Sequence, residues 1–217
     1  MEKEKVMRLN LGSGSDYRTD CWVNVDRREV KCDVVHDLNI IPYPFPDDST
    51  DEIEMSQVLE HLKEPFAVMR ELHRILKLGG RLTIRVPHFT RGFTHAEHEH
   101  GFDITFPYYF NKERFPEQFY GVSFEAEKTE LHWLSGITLA YLTRLGISRV
   151  SIAILKVLNR FLSWLANLNP MLCSRFWAYY AGGFEEIEFS LRKAPNLPST
   201  APLSSEENEV ARKPTKP

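Results

Sequence analysis

A chain of 217 residues with 42% apolar and 26% charged residues has the composition of a soluble globular protein and is long enough for one full core. Its net charge of -3 gives no general reason to expect a nucleic-acid partner. Three widely spaced cysteines, Cys21, Cys32 and Cys173, exclude a disulfide framework, and the charged stretch 1–7 lacks the apolar run of a secretory leader, so a reducing, cytoplasmic setting is expected.

Residues 7–11 read as a first strand running into Gly12-Ser13-Gly14. Two glycines one residue apart bend the backbone sharply and bring main-chain N–H groups up to a ligand. The next apolar run, Trp22 to Val25, closes on Asp26, an acid placed to meet a ribose diol. A third strand over Cys32 to His36 is followed by Asp37-Leu38. The links between these strands are too short for crossover helices, so the front of the sheet is predicted to lack them. A dinucleotide turn would carry a third glycine where Tyr17 stands and would open a true helix, which argues for a cofactor without a pyrophosphate.

Pro42, Pro44 and Pro46 make an extended loop before a fourth strand, Asp51 to Ser56. A helix starts at Glu64-Pro65, with Leu62, Phe66, Met69, Leu72 and Leu76 on one face, and Gly79-Gly80 is read as its C-cap. A fifth strand, Arg81 to Val86, stops at Pro87-His88. Further strands are expected over Gly121 to His132 and, as the last, over Glu186 to Arg192.

Between those two lies Trp133 to Tyr180. In Arg149 to Asn167 the polar residues Arg149, Lys156, Arg160, Ser163 and Asn167 fall on one narrow helical face, leaving a broad apolar one. It is read as a lid helix packed on the domain or a second subunit, or as a peripheral membrane contact, being too short of apolar residues to span a bilayer. Residues 194–217 turn to Pro, Ser, Thr, Glu and Lys and are expected to form a disordered tail.

The motifs Leu9-Asn10-Leu11-Gly12-Ser13-Gly14, Asn24-Val25-Asp26, Asp33-Val34-Val35-His36-Asp37-Leu38, Tyr43-Pro44-Phe45-Pro46-Asp47, Val58-Leu59-Glu60-His61-Leu62 and Leu76-Lys77-Leu78-Gly79-Gly80, in this order, carry a resemblance. Over residues 7–90 the chain resembles the class I S-adenosylmethionine-dependent methyltransferases, in particular the small type 11 branch. The resemblance implies an α/β, Rossmann-like sheet, mostly parallel with one antiparallel strand, here with reduced N-terminal helices and a helical lid insertion. It implies one methyltransferase-like domain over 1–193, with a substrate region at 89–132 and the helical insertion at 133–181. S-adenosylmethionine would be held by Asn10, Gly12, Ser13, Gly14, Asp26, Asp37, Leu38, Ser56 and Gln57. Asn10 departs from the family, where Asp or Glu is frequent.

Methyl transfer also needs, for some acceptors, a group that removes a proton. The candidates are His61, His88 and His98, all following strand ends or in the histidine-rich run Thr94 to Asp103. His95, His98 and His100 with Glu97, Glu99 and Asp103 match no zinc spacing, so no metal ligand is assigned from sequence. The expected acceptor is a small molecule, glycan or lipid-linked intermediate. A non-catalytic protein of this fold, binding the cofactor or a partner, is the alternative.

Overall fold

Strand residues of this chain alternate in character, which is unusual for a parallel sheet, and that alternation decides how the layers form. The computed structural model describes residues 6–28, 30–92, 95–180 and 182–196. Seven strands, β1 (Arg8–Leu11), β2 (Trp22–Asp26), β3 (Val34–Val35), β4 (Thr50–Ser56), β5 (Leu76–Pro87), β6 (Phe124–His132) and β7 (Glu186–Lys193), form one sheet in the order β3-β2-β1-β4-β5-β7-β6. Pairs from β3 through to β5 are parallel, and β7 runs antiparallel to both its neighbours. This is the mostly parallel sheet with one reversed strand that the resemblance implies.

On one face, Leu9, Ile53, Leu82 and Leu191 stand side by side across β1, β4, β5 and β7, all fully buried. Leu11, Met55, Ile84 and Phe189 form the next row. Helix α1 (Pro65–Ile75) joins this core through Val68, Met69, Leu72 and Ile75. Burying a side chain of this size contributes about 1.5–3 kcal/mol, so these rows dominate the fold's stability. The opposite face is polar: Asn10, Asn24, Glu54, Arg85 and Glu188 lie across it. Arg85 bridges Glu54 and Glu188, and Arg18 reaches Glu54 at 3.0 Å. Among the described residues no helix connects β1 to β4, so this face never receives the apolar cover that two-sided α/β sheets have.

The glycine pair Gly79-Gly80 is not a helix cap. Helix α1 ends at Ile75, and β5 begins at once, pairing Leu76 with Thr50 and then, after an irregularity, Arg81 with Glu52. Gly79, at φ +76°, lies in that irregular stretch. A Cβ on Gly80 would meet Leu76 Cδ2 and the Lys77 carbonyl oxygen, both at 2.8 Å, so the glycines let the strand bend back over its own start.

A single turn, α2 (Phe89–Gly92), follows β5, and α3 (Gly136–Arg144) and α4 (Arg149–Asn167) lie between β6 and β7. Ser135 and Ser148 cap α3 and α4, each accepting a backbone N–H of the first turn. Helix α4 docks along the border of the two faces its periodicity suggests: Ile152 and Ala166 are buried, and polar side chains beside them bond the sheet edge. Asn167 accepts the Leu131 N–H and donates to the Leu131 carbonyl, both at 2.9 Å. Ser163 accepts the Trp133 N–H, and Asn159 accepts the Leu134 N–H and donates to its carbonyl. Three side chains at four-residue steps thus satisfy the outer backbone of β6 and its continuation, where an eighth strand would otherwise pair. Val150, Ile154, Val157, Phe161 and Trp164, on the far side, are 54–71% exposed. Arg149, Lys156 and Arg160 are exposed beside them.

Of the expected tail, Ala194 and Asn196 still bond Ser123, and residues 197–217 lie outside the described residues.

Candidate active site

The carboxyl ends of β1, β2 and β4 open into a cleft of about 210 Å³, lined by Gly12, Asp26, Asp37, Leu38, Gln57, Val58 and Leu62, with His61 and Glu97 at its rim. Gly12, at φ +69°, turns the chain so that its N–H and that of Ser13 both donate to the Val25 carbonyl. Asp26 braces the turn: Oδ2 accepts the Gly14 N–H at 2.8 Å and Oδ1 the Arg28 N–H at 3.0 Å. Burial pushes the Asp26 carboxyl up, but the hydrogen bonds from Arg28 and Gly14 outweigh it and hold its pKa below the usual range. It is therefore ionised at neutral pH. Oδ1 also lies 3.4 Å from Arg28 Nε, so Oδ2, with the Gly14 N–H as its one donor among the described residues, is the oxygen with a lone pair open to a hydroxyl. Asp37 accepts the Asn39 N–H, which chiefly lowers its pKa.

These residues fit an adenosyl group. The acids would meet the hydroxyls and an amino group, while Leu38, Val58 and Leu62 would offer apolar surface to a flat ring. Other expected residues lie outside the cleft lining. The Asn10 amide is buried and donates to the Asp16 carbonyl and to Asn24. Ser13 is buried with an Oγ that has no partner among the described residues, and Ser56 ends β4 without lining either cleft.

A second cleft, about 290 Å³, lies on the other side of Gln57 and His61, which line both. Its remaining walls are Glu60, Pro87, Arg91, His95, His98, Ser135, Ile137, Thr138 and Glu185. Gln57 sits at φ +56°, a left-handed conformation that a side-chain-bearing residue adopts at a cost of about 1–2 kcal/mol. It donates to Glu186 at 2.8 Å, which fixes the partition between the clefts. Of the described residues between 89 and 180, Glu97 lines the first cleft, and Arg91, His95, His98, Ser135, Ile137 and Thr138 line the second.

The three expected catalytic histidines have different places. His61 and His98 face the second cleft with ring centroids 4.8 Å apart, and His95 stacks on His98 at 4.6 Å. His61 Nδ1 donates to the Glu97 carbonyl at 3.0 Å, which leaves Nε2 as an acceptor toward the cleft. The histidine run is strapped to the loop before α1: the Glu99 and His100 N–H groups reach the Glu60 carbonyl, and His100 Nε2 lies 3.1 Å from the Lys63 carbonyl oxygen. His100 therefore pins a loop.

His88 is fully buried and lines neither cleft. Its ring nitrogens lie 2.8 Å from Thr90 Oγ1 and 2.9 Å from Ser174 Oγ, tying the end of β5 to the turn after α4. Burial lowers its pKa to about 4. The folded ring then stays neutral while the unfolded one takes a proton near pH 6.5. Stability is expected to be fully present above pH 6.5 and to fall by up to about 3 kcal/mol as the pH drops toward 4. Urea unfolding at pH 7 and pH 5 checks this; an equal fall in His88→Phe assigns the acid loss to other groups.

Glu60 was legible as part of Val58-Leu59-Glu60-His61-Leu62 but not as a site residue. It is wholly buried, and neither carboxylate oxygen has a hydrogen-bond partner among the described residues. Burial, aided by the Glu186 charge, pushes its pKa up to about 8.

Residues 11–84 match a family model described as a methyltransferase domain. No curated protein matches the chain. Among solved structures, a protein of Galdieria sulphuraria assigned as a sarcosine dimethylglycine methyltransferase is similar at 15% identity, with a TM-score of 0.54, over 90% of this chain and 80% of that one. The YcgJ protein of Bacillus subtilis is similar at 15% identity and a TM-score of 0.50, over 90% and 95% of the two chains.

Proposed function

Because the chain carries a class I S-adenosylmethionine-dependent methyltransferase domain of the type 11 family, we propose that it methylates the hydroxyl-bearing head of a lipid-linked acceptor, such as a glycan intermediate, at a membrane surface. When bound, S-adenosylmethionine supplies a methyl carbon already activated on a sulfonium. The protein has to bind, align and keep water out. Asp26 would take the ribose hydroxyls and Asp37 with Leu38 the adenine, while Gly12, the one residue of the turn that lines the first cleft, would give the methionine end a close approach to the backbone. Gln57 and His61 stand where the methyl group would pass from one cleft to the other. Arg91, Ser135, Thr138 and Glu185 give the second cleft the polar lining that sugar hydroxyls pair with. His61 and His98 are the groups placed to act on the acceptor oxygen.

The observation that carries the membrane part is the outer side of the helical insertion. Beyond the exposed face of α4, Ile137, Tyr141, Leu145, Leu168, Phe176 and Tyr180 are 58–88% exposed, and large apolar side chains clustered at the surface in one insertion mark a contact with a membrane or a partner. Ile137 also lines the second cleft, so the apolar surface runs up to its mouth. From residue 133 to 184 the sequence has no Asp or Glu and five cations, Arg144, Arg149, Lys156, Arg160 and Arg175. A cationic border around an aromatic and aliphatic face suits an anionic lipid surface. Among the described residues no helix is long and apolar enough to cross a membrane.

The test is flotation with vesicles of neutral lipid alone or with about a third anionic lipid, followed by labelled methyl transfer to lipid-extracted and water-soluble acceptor fractions. The protein should float with the anionic vesicles, Phe161→Asp/Trp164→Asp should stay at the bottom, and label should enter the lipid fraction. A wild-type protein that stays at the bottom as a dimer buried through α4 would overturn the membrane reading, and label confined to the aqueous fraction would overturn the lipid-linked acceptor.

A further inference from the structure

We propose that Glu60, His61 and His98 form a binding site for a divalent transition metal, zinc foremost, in the wall between the two clefts. One ligand atom from each lies within 4.8 Å of the others, and His61 Nε2 is already 3.9 Å from Glu60 Oε1. Ligands around a tetrahedral zinc ion with bonds of about 2.1 Å stand about 3.4 Å apart, so a small side-chain contraction completes the set. Two imidazoles and one carboxylate are a donor set that zinc and neighbouring transition ions accept, and three protein ligands leave a position open.

Three independent features point the same way. Glu60 is wholly buried, yet its two oxygens accept no hydrogen bond among the described residues, although burying polar oxygens without a partner costs several kcal/mol. An ion at this point gives those oxygens their partner. His61 Nδ1 donates to the Glu97 backbone carbonyl, the outer contact that orients a metal-bound imidazole and presents the other nitrogen to the ion. Finally, the backbone bonds from Glu99 and His100 to the Glu60 carbonyl hold the loop bearing His98 against the residues it would share the ion with. The ligands come from two segments 37 residues apart, which is why no zinc spacing is visible in the sequence.

The open position would face the second cleft, where His95, Arg91 and Thr138 also lie. A hydroxyl coordinated there loses its proton more readily. His61 and His98 would then act on an acceptor through the ion and not as bases themselves. The metal site does not depend on methyl transfer and is tested without cofactor or acceptor.

Untagged full-length protein, freed of metal with a chelator, is titrated with zinc by calorimetry and with cobalt by visible absorption. One equivalent of zinc should bind, and cobalt should give the absorption of a four-coordinate ion with nitrogen and oxygen ligands. His98→Ala and Glu60→Gln should each weaken binding at least tenfold. His98 lies on a surface loop, so His98→Ala remains informative even where Glu60→Gln unfolds. No saturable zinc binding, or equal binding by His98→Ala and wild type, overturns the site.

Discussion

Asp26→Ala is expected to weaken S-adenosylmethionine binding by roughly a hundredfold or more. The carboxylate has two tasks that alanine removes together. It would receive the ribose hydroxyls, and it already holds the glycine turn through the Gly14 and Arg28 N–H groups. A hydrogen bond to a charged group contributes about 1.5–3 kcal/mol, and each 1.4 kcal/mol is tenfold in affinity. Asp26→Asn keeps one acceptor oxygen for the turn and should lose less. Calorimetry with S-adenosylmethionine and S-adenosylhomocysteine reads the effect directly, with NAD as a compound that should not bind. If Asp26→Ala binds either adenosyl compound within about threefold of wild type, the assignment of this acid to the ribose is wrong.

Gly12→Ala should have the second large effect, on stability as well as on the cleft. At φ +69° an L-residue pays about 1–2 kcal/mol, and the added Cβ would come within 2.3 Å of Val58 Cγ2. Forcing an extra carbon into a packed site costs about 1–3 kcal/mol more. A loss of about 3 kcal/mol in urea unfolding is expected, with Val58 displaced into the cleft it lines. Gly14→Ala is the comparison: its φ of +50° is also left-handed, but the nearest atom to a new Cβ is Arg28 Nη2 at 3.9 Å, so it should cost less than half as much. Val58→Ala in the Gly12→Ala background should recover the steric part and leave the backbone part. No recovery would show that the clash is not the cause.

Much of the sheet could be read from residues alone. The strands up to β4 announce themselves through alternating apolar residues closed by Gly12, Asp26 and Asp37, and the structure gathers those three around one cleft. The short links between them rightly excluded front helices. Other features depend on contacts that periodicity does not encode. Gly79-Gly80 reads equally well as a helix end or as a bend in an extended chain, and only the pairing of Leu76 with Thr50 decides for the second. For α4, spacing revealed two faces but not which one docks. The helix buries Ile152 and Ala166 but leaves much of its apolar face outside, because Asn159, Ser163 and Asn167 find unpaired strand backbone to bond and turn the docked side toward themselves. The histidines divide for a similar reason. His88 and His61 both follow strand ends in sequence, yet burial made one an anchor and left the other at the junction of two clefts.

The amide ladder along α4 also fixes an attitude. Asn167 and Asn159 each grip both backbone groups of one residue, Leu131 and Leu134, so a rotation or one-residue slide of the helix would break every rung at once. The exposed aromatic side is therefore held at one angle to the sheet. On the proposed membrane contact through Phe161 and Trp164, the mouth of the second cleft would inherit a set height and tilt above that plane, as a tool does from a jig. Changing the rungs, even where every cleft residue is kept, should alter which acceptors can reach the methyl group.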